Sequence, residues 1–211
     1  MPSDAELYRS FLRTDLLTFI GRTYATVDGR TQFLPNWHVE LIADRLMAAY
    51  RREIKRLIIT LPPRSLKSIS ASIAFPAWAL GQDPKLRIIC ASYAQEFSGD
   101  LARKCRKVML SPWYRGAFPD SALNPNKLAE EEFETIAGGS RLSTSLGGSL
   151  TGRGGNFIII DDPIKALDAQ SKANRERVKD WYDSTLYSRL DSKDDDVIIL
   201  VMQRVHVARV I

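Results

Sequence analysis

The chain holds two cysteines in 211 residues, Cys90 and Cys105. That excludes a disulfide framework, and neither thiol has a partner at zinc-ligand spacing, so a reducing, cytoplasmic setting is expected. Long hydrophobic runs are lacking too. The longest mostly apolar stretch, Ile69 to Leu80, is too short to span a bilayer and carries Pro76. Met1-Pro2-Ser3-Asp4 has neither the basic n-region nor the apolar h-region of a secretory leader, and no membrane attachment is expected. No repeat of fixed period and no low-complexity segment appears, which leaves the alternation of strands and helices as the organising signal.

What is present is the composition of a soluble globular domain, with 45% hydrophobic, 26% charged and 9% aromatic residues. That apolar fraction can offset the entropy of ordering a chain of this length. Thirty Lys plus Arg against 25 Asp plus Glu leave a formal charge of +5, a modest excess that suits nucleic acid or another polyanion. Basic residues crowd the stretch from Arg45 to Lys107, and acids cluster at Glu130 to Glu134 and Asp191 to Asp196. Solvated helix faces explain such clusters as readily as a DNA track does.

An amphipathic pattern predicts a helix from Ala5 to Ile20, capped by Ser3 or Asp4, and a second from about Trp37 to Arg52. The β-branched run Arg56 to Leu61 reads as a buried strand leading into a helix from Lys67 to about Leu80. Leu86 to Ala91 is a second strand, followed by a helix from about Ala94 to Leu110. After a Pro-rich connection, Glu132 to Ala137 and Ser140 to Ser145 flank Gly138-Gly139 and predict a β-hairpin inserted in the α/β pattern. A glycine-rich loop, Gly147 to Gly155, opens onto Phe157-Ile158-Ile159-Ile160. A helix from about Ala169 to Leu190 and a strand at Val197 to Met202 complete the pattern. The reading is an α/β fold with a parallel central sheet flanked by helices. Residues 1–54 form an N-terminal helical arm with an adenine-side element, packed on a core of residues 55–211.

The segment Leu61-Pro62-Pro63-Arg64-Ser65-Leu66-Lys67-Ser68 lies between a strand and a helix, where backbone N–H groups and the helix dipole can hold phosphates. Lys67 would neutralise the β and γ phosphates and Ser68 would coordinate Mg²⁺, as in the Lys-Ser ending of a Walker A motif. Glycines are missing: Leu61 and Leu66 stand where the general pattern has Gly, so the loop is expected to follow a variant path. An ordinary helix start is the alternative. Asp161-Asp162 end an apolar strand at the carboxyl edge of the sheet, where open α/β folds bind ligands. Asp161 would be the metal-side Walker B acid and Asp162 would activate water in place of the usual Glu. An Asp-Asp-Pro turn capping the next helix is the alternative.

Taken together, Pro62 to Ser68, Ala77-Trp78, Ser92-Tyr93, Thr151-Gly152-Arg153-Gly154, Asp161-Asp162-Pro163, Asp180-Trp181-Tyr182, Ser188-Arg189-Leu190 and Gln203-Arg204-Val205-His206 resemble the ATPase half of tailed-phage terminase large subunits. The resemblance runs from about Gln32 to His206 and implies a RecA-like, additional-strand P-loop ATPase. Such a motor uses ATP and Mg²⁺ to drive double-stranded DNA into a capsid within a bacterial host. It implies a portal protein and a small terminase subunit as partners, and a homo-oligomeric ring built from chains that are monomers in isolation.

The same resemblance implies roles for single residues. Pro63, Arg64, Ser65 and Leu66 belong to the nucleotide loop, with Arg64 responding to the γ phosphate. Trp37 or His38 would stack on adenine; an aromatic core anchor is the alternative. Arg153 would reach a neighbouring subunit's site, or else form a flexible basic loop. Gln203 and Arg204, with His206, would be the coupling element that passes motion onward. The family continues with an acidic residue, Leu and Gly, where this chain has Arg209-Val210-Ile211. It also continues into a metal-dependent nuclease half that no segment here supplies, so nuclease activity is not expected and a fragment or a frameshifted prophage gene is. A helicase-like translocase and a non-catalytic remnant that binds nucleotide or DNA remain the other readings.

Overall fold

The computed structural model describes residues 3–205, so His206 lies outside the described residues. Helix α1 (Asp4–Thr14) opens with a capping box: the Ser3 hydroxyl accepts from the Glu6 N–H, and the Glu6 carboxylate accepts from the Ser3 N–H at 2.7 Å. The single helix expected to Ile20 is in fact two. Asp15 is extended, with φ −121°, and its carboxylate accepts from the Thr18 N–H at 2.8 Å, which ends α1 and caps α2 (Leu16–Val27). With α3 (Trp37–Tyr50), three helices rather than two precede the first strand. Their apolar faces, including Leu12, Phe19, Ile20, Val39 and Leu46, share one core with Ile59, Ile88, Phe157 and Ile159 of the sheet.

The sheet has seven strands: β1 (Arg56–Thr60), β2 (Arg87–Ser92), β3 (Leu123–Leu128), β4 (Glu132–Thr135), β5 (Ser140–Ser145), β6 (Phe157–Asp161) and β7 (Val197–Met202). They lie in the order β1-β7-β6-β2-β5-β4-β3. The first five run parallel, and β4 and β3 extend the sheet antiparallel. Strands β2, β6 and β7 are buried nearly end to end, as parallel strands covered on both faces must be. One face packs on α1 to α3, α4 (Phe75–Gln82) and α5 (Gln95–Leu110). The other carries a second apolar cluster of Ile89, Ile158, Ile160 and Leu200 against Trp181, Leu186 and Leu190.

The hairpin is no insertion. Gly138-Gly139 does join β4 to β5, but β5 pairs parallel with β2 from Arg87↔Ser140 to Ser92↔Ser145, so it is an integral strand of the sheet. A Cβ on Gly139 would sit 2.3 Å from the Pro84 carbonyl oxygen, which is why a glycine stands where β5 starts against β2. Strand β3 hides in the Pro-rich connection after α6 (Pro112–Ala117). Its Pro125 is tolerated because β3 is an edge strand.

Two expected helices are irregular. The one starting at Lys67 runs through a π-helical segment, Ile69–Ala74, before α4. Pro76 cannot donate to the Ser72 carbonyl four residues back, and that carbonyl accepts instead from Arg141 at 3.3 Å. The helix expected from Ala169 to Leu190 is α7 (Lys172–Trp181) flanked by 3₁₀ turns and a π segment, Tyr182–Leu186. No helix among the described residues is long and apolar enough to cross a membrane.

Candidate active site

Parallel register brings the carboxyl ends of four strands level: Thr60 of β1 lies beside Met202 of β7, and Asp161 of β6 lies between Val201 of β7 and Ser92 of β2. The segments that leave these ends, 61–66, 93–94, 162–165 and 203–205, therefore meet at one edge of the sheet.

In the first of them Pro63 and Arg64 are exposed, Ser65 is buried and Leu66 is half-buried. The expected departure from the glycine path does not occur at Leu66. Its φ is +61° and that of Arg64 is +63°, so both adopt the left-handed conformation that glycine would supply, at about 1 kcal/mol or more apiece. Packing holds the Leu66 side chain against the main core. Lys67 and Ser68 then start the helix, with Lys67 only 7% exposed.

Asp161 is 1% exposed. Its Oδ1 accepts from the Ser68 hydroxyl at 3.1 Å and its Oδ2 from the Ser72 hydroxyl at 2.6 Å. Burial pushes its carboxyl up to about 6; the Ser72 hydrogen bond opposes the rise and the neighbouring Asp162 adds to it. Asp162 turns the other way, with φ +45°. Its N–H donates to the Val201 carbonyl at 2.8 Å, and its carbonyl accepts from the Tyr93 N–H at 3.2 Å. Oδ1 accepts from the Gln203 N–H at 3.2 Å, and Oδ2 sits 3.4 Å from Lys67 Nζ. Two adjacent carboxylates thus take different partners, one hydroxyls and one an ammonium.

Phosphate and Mg²⁺ fit these residues. The Ser65 hydroxyl is buried in the loop without a partner, as a group awaiting an acceptor would be. Ser68 and Asp161 offer the hard oxygen ligands that Mg²⁺ prefers. Among the described residues there is no group of three or more His, Cys, Asp or Glu side chains that could hold a metal ion.

Trp37 and His38 line a recess of about 250 Å³ together with Leu41, Arg45, Ile58 and Leu61, the residue that opens the loop. Trp37 is 69% exposed, so it is not the buried anchor of the alternative reading. Gln203 reaches the site through its backbone, and Arg204 is exposed beside it. Arg153 is not brought to this cluster; it makes a two-pronged pair with Glu132 of β4, at 2.5 and 2.7 Å. The Arg45 to Lys107 set is largely engaged internally: Arg51 pairs with Glu53, Arg87 with Asp191, Arg103 and Lys104 with Asp100, and Arg106 donates to the Leu128 and Ala129 carbonyls. Sequence reasoning missed Ser72, which lies one turn beyond Ser68 on the helix face toward Asp161, a spacing that could have pointed to it.

No protein-family model matches the chain, and no curated protein matches it. Among solved structures, the large terminase of bacteriophage HK97 is similar, with a TM-score of 0.57 and 11% identity over 90% of this chain. The matched region spans 37% of that terminase chain, and at this identity the likeness is one of fold. The fold is therefore a terminase-like mixed α/β one, with a seven-stranded sheet flanked by helices.

Proposed function

We propose that the chain is the ATPase motor portion of a phage or prophage terminase large subunit, hydrolysing ATP to move double-stranded DNA. The observation that carries this reading is the junction of Lys67-Ser68 with Asp161-Asp162, held by the 3.1 Å Ser68–Asp161 and 3.4 Å Lys67–Asp162 contacts. Strand β7 lies between the strand that feeds the loop and the strand that ends in the acidic pair, the order of an additional-strand, RecA-like P-loop ATPase.

In this mechanism the loop N–H groups and Lys67 bind the phosphates, and the Lys67 ammonium leaves Asp162 for them. Ser68 and Asp161 would hold Mg²⁺, which supplies positive charge to the phosphate oxygens. Asp162, fixed by the Gln203 N–H, orients the attacking water and takes its proton, and Gln203 and Arg204 thereby register whether the γ phosphate is present. The recess at Trp37 and His38 receives the base. Arg64 is exposed at the mouth of the loop, free to meet the γ phosphate. Arg153 would complete a neighbouring subunit's site after breaking from Glu132, in a ring docked on a portal protein with a small terminase subunit.

Mg²⁺-dependent ATP turnover, followed over a wide protein concentration range with and without duplex DNA, tests the reading. Turnover rising faster than linearly and lost in Lys67→Ala and Arg153→Ala is the expected result. Turnover and nucleotide affinity unchanged in Lys67→Ala would refute it. Stimulation by single-stranded but not duplex DNA would favour a helicase-like translocase, and nucleotide binding without turnover a non-catalytic remnant.

A further inference from the structure

Beneath the site lies a guanidinium that the chemistry above does not use. Arg141 of β5 is fully buried, 0% exposed, the largest such side chain among the described residues. No carboxylate among the described residues pairs with it. Its Nη1 donates to the Ser143 hydroxyl at 2.6 Å and its Nη2 to the Ser72 carbonyl at 3.3 Å, while Nε has no partner. Burying a charge without a counter-ion is costly, and a Met or Leu would fill the space without that cost.

What Arg141 holds is informative. The Ser72 carbonyl lies four residues before Pro76, which has no N–H to give it an α-helical donor. The same Ser72 donates its hydroxyl to Asp161 Oδ2 at 2.6 Å, where all the participating groups are buried. The chain of contacts thus runs from Arg141 to the Ser72 backbone, through the Ser72 side chain, to Asp161. Locking Oδ2 leaves Oδ1 beside the Ser68 hydroxyl as the oxygen that faces the nucleotide loop.

We infer that Arg141, acting through Ser72, is a positioning residue for Asp161: it pins the π-helical turn so that the metal-side carboxylate presents one fixed oxygen with Ser68. The inference rests on the functional reading above. It also gives the proline a reason, since a residue with an N–H at position 76 could donate in an α-helix to the carbonyl that Arg141 grips. Partners behind a metal-ligating carboxylate typically tune metal affinity by about 10- to 100-fold.

Mn²⁺ serves as the probe, titrated by electron paramagnetic resonance into the full chain saturated with ADP; ADP affinity in EDTA is measured in parallel. Ser72→Ala and Arg141→Met should each raise the half-saturating Mn²⁺ concentration about tenfold while leaving ADP affinity in EDTA within about twofold, and Arg141→Lys, which can still reach a carbonyl, should recover much of the loss. Equal losses with and without metal would show a merely structural role and overturn the inference. So would an unchanged Mn²⁺ titration in Ser72→Ala, which decides alone should Arg141→Met fail to fold. A parent chain whose Mn²⁺ and ADP binding match those of Lys67→Ala would instead bring down the functional reading, and this inference with it.

Discussion

Asp161→Asn should make the metal-free protein more stable. Asp161 is 1% exposed, and burial raises its carboxyl from an ordinary 3.8 to about 6. A carboxyl whose value is raised on folding binds a proton more tightly in the folded chain than in the unfolded one. Stability therefore falls as pH rises from about 3.8 to about 6, and the penalty is complete above that window. About two pH units correspond to about 3 kcal/mol at neutral pH. Asparagine preserves the volume and the contacts, since its amide oxygen accepts from Ser72 and its amide nitrogen can donate to the Ser68 oxygen. In EDTA at about pH 7.5, Asp161→Asn is expected to gain about 2–3 kcal/mol, seen as a thermal midpoint raised by about 4–10 °C for a chain of this size. Near pH 4 the gain should shrink below about 1 kcal/mol. Mg²⁺ with nucleotide should stabilise the parent and do little for the variant. A variant less stable than the parent at pH 7.5, or a gain equal at both pH values, would refute the account of Asp161 as a carboxylate held against its desolvation.

Lys67→Ala removes the ammonium beside Asp162 and is expected to lower nucleotide affinity at least about tenfold, read by titration with a fluorescent nucleotide; undiminished affinity contradicts the assignment. Arg64→Gly relieves a left-handed residue worth about 1 kcal/mol, so urea unfolding should show stability held or raised while turnover drops, and a stability loss would mean that the Arg64 side chain supports the fold. Arg153→Ala breaks an exposed ion pair and should change stability by less than about 1 kcal/mol, with its effect confined to the concentration dependence of turnover. Gly139→Ala would place a methyl 2.3 Å from the Pro84 carbonyl oxygen, and the resulting separation of β5 from β2 should cost about 2 kcal/mol or more in denaturant unfolding.

Strand-helix alternation, and the position of the two segments Leu61 to Ser68 and Asp161-Asp162 at strand ends, were legible because each is local. Apolar runs such as Phe157 to Ile160 announce strands covered on both faces, and Asp161-Asp162 sits where such a run stops. Less legible was whatever depends on a partner distant in sequence. Asp15 looks like one polar residue on an amphipathic face until its carboxylate is seen capping Leu16–Val27. β5 looks like half of a free-standing hairpin because its parallel partner β2 lies some fifty residues away. β3 carries a proline that argues against a strand anywhere but at an edge, and edges are a property of the assembled sheet. Among the candidate site residues, Lys67, Ser68, Asp161 and Asp162 lie together at the carboxyl edge of the sheet. Ser72 and Arg141 escape notice because a serine in a helix and an arginine in a strand are ordinarily exposed, and only the tertiary fold shows them buried.

Backbone strain connects the fold to the chemistry. Four described non-glycine residues have positive φ, and three of them, Arg64, Leu66 and Asp162, surround the candidate site. Glycine at the two loop positions would adopt the same path without the steric cost. The side chains therefore have to do something that glycine cannot. Leu66 packs on the core, fixing the loop from beneath, and Arg64 stands exposed at its mouth. Asp162 is held in its left-handed turn by bonds to Val201, Tyr93 and Gln203, one from each flanking strand end and the segment beyond. A change in the charge that Asp162 faces is thus coupled directly to the ends of β2 and β7. On the proposed function, the segment at Gln203 and Arg204, bonded to Asp162 through the Gln203 N–H, is where a change at that carboxylate would be passed to the end of β7.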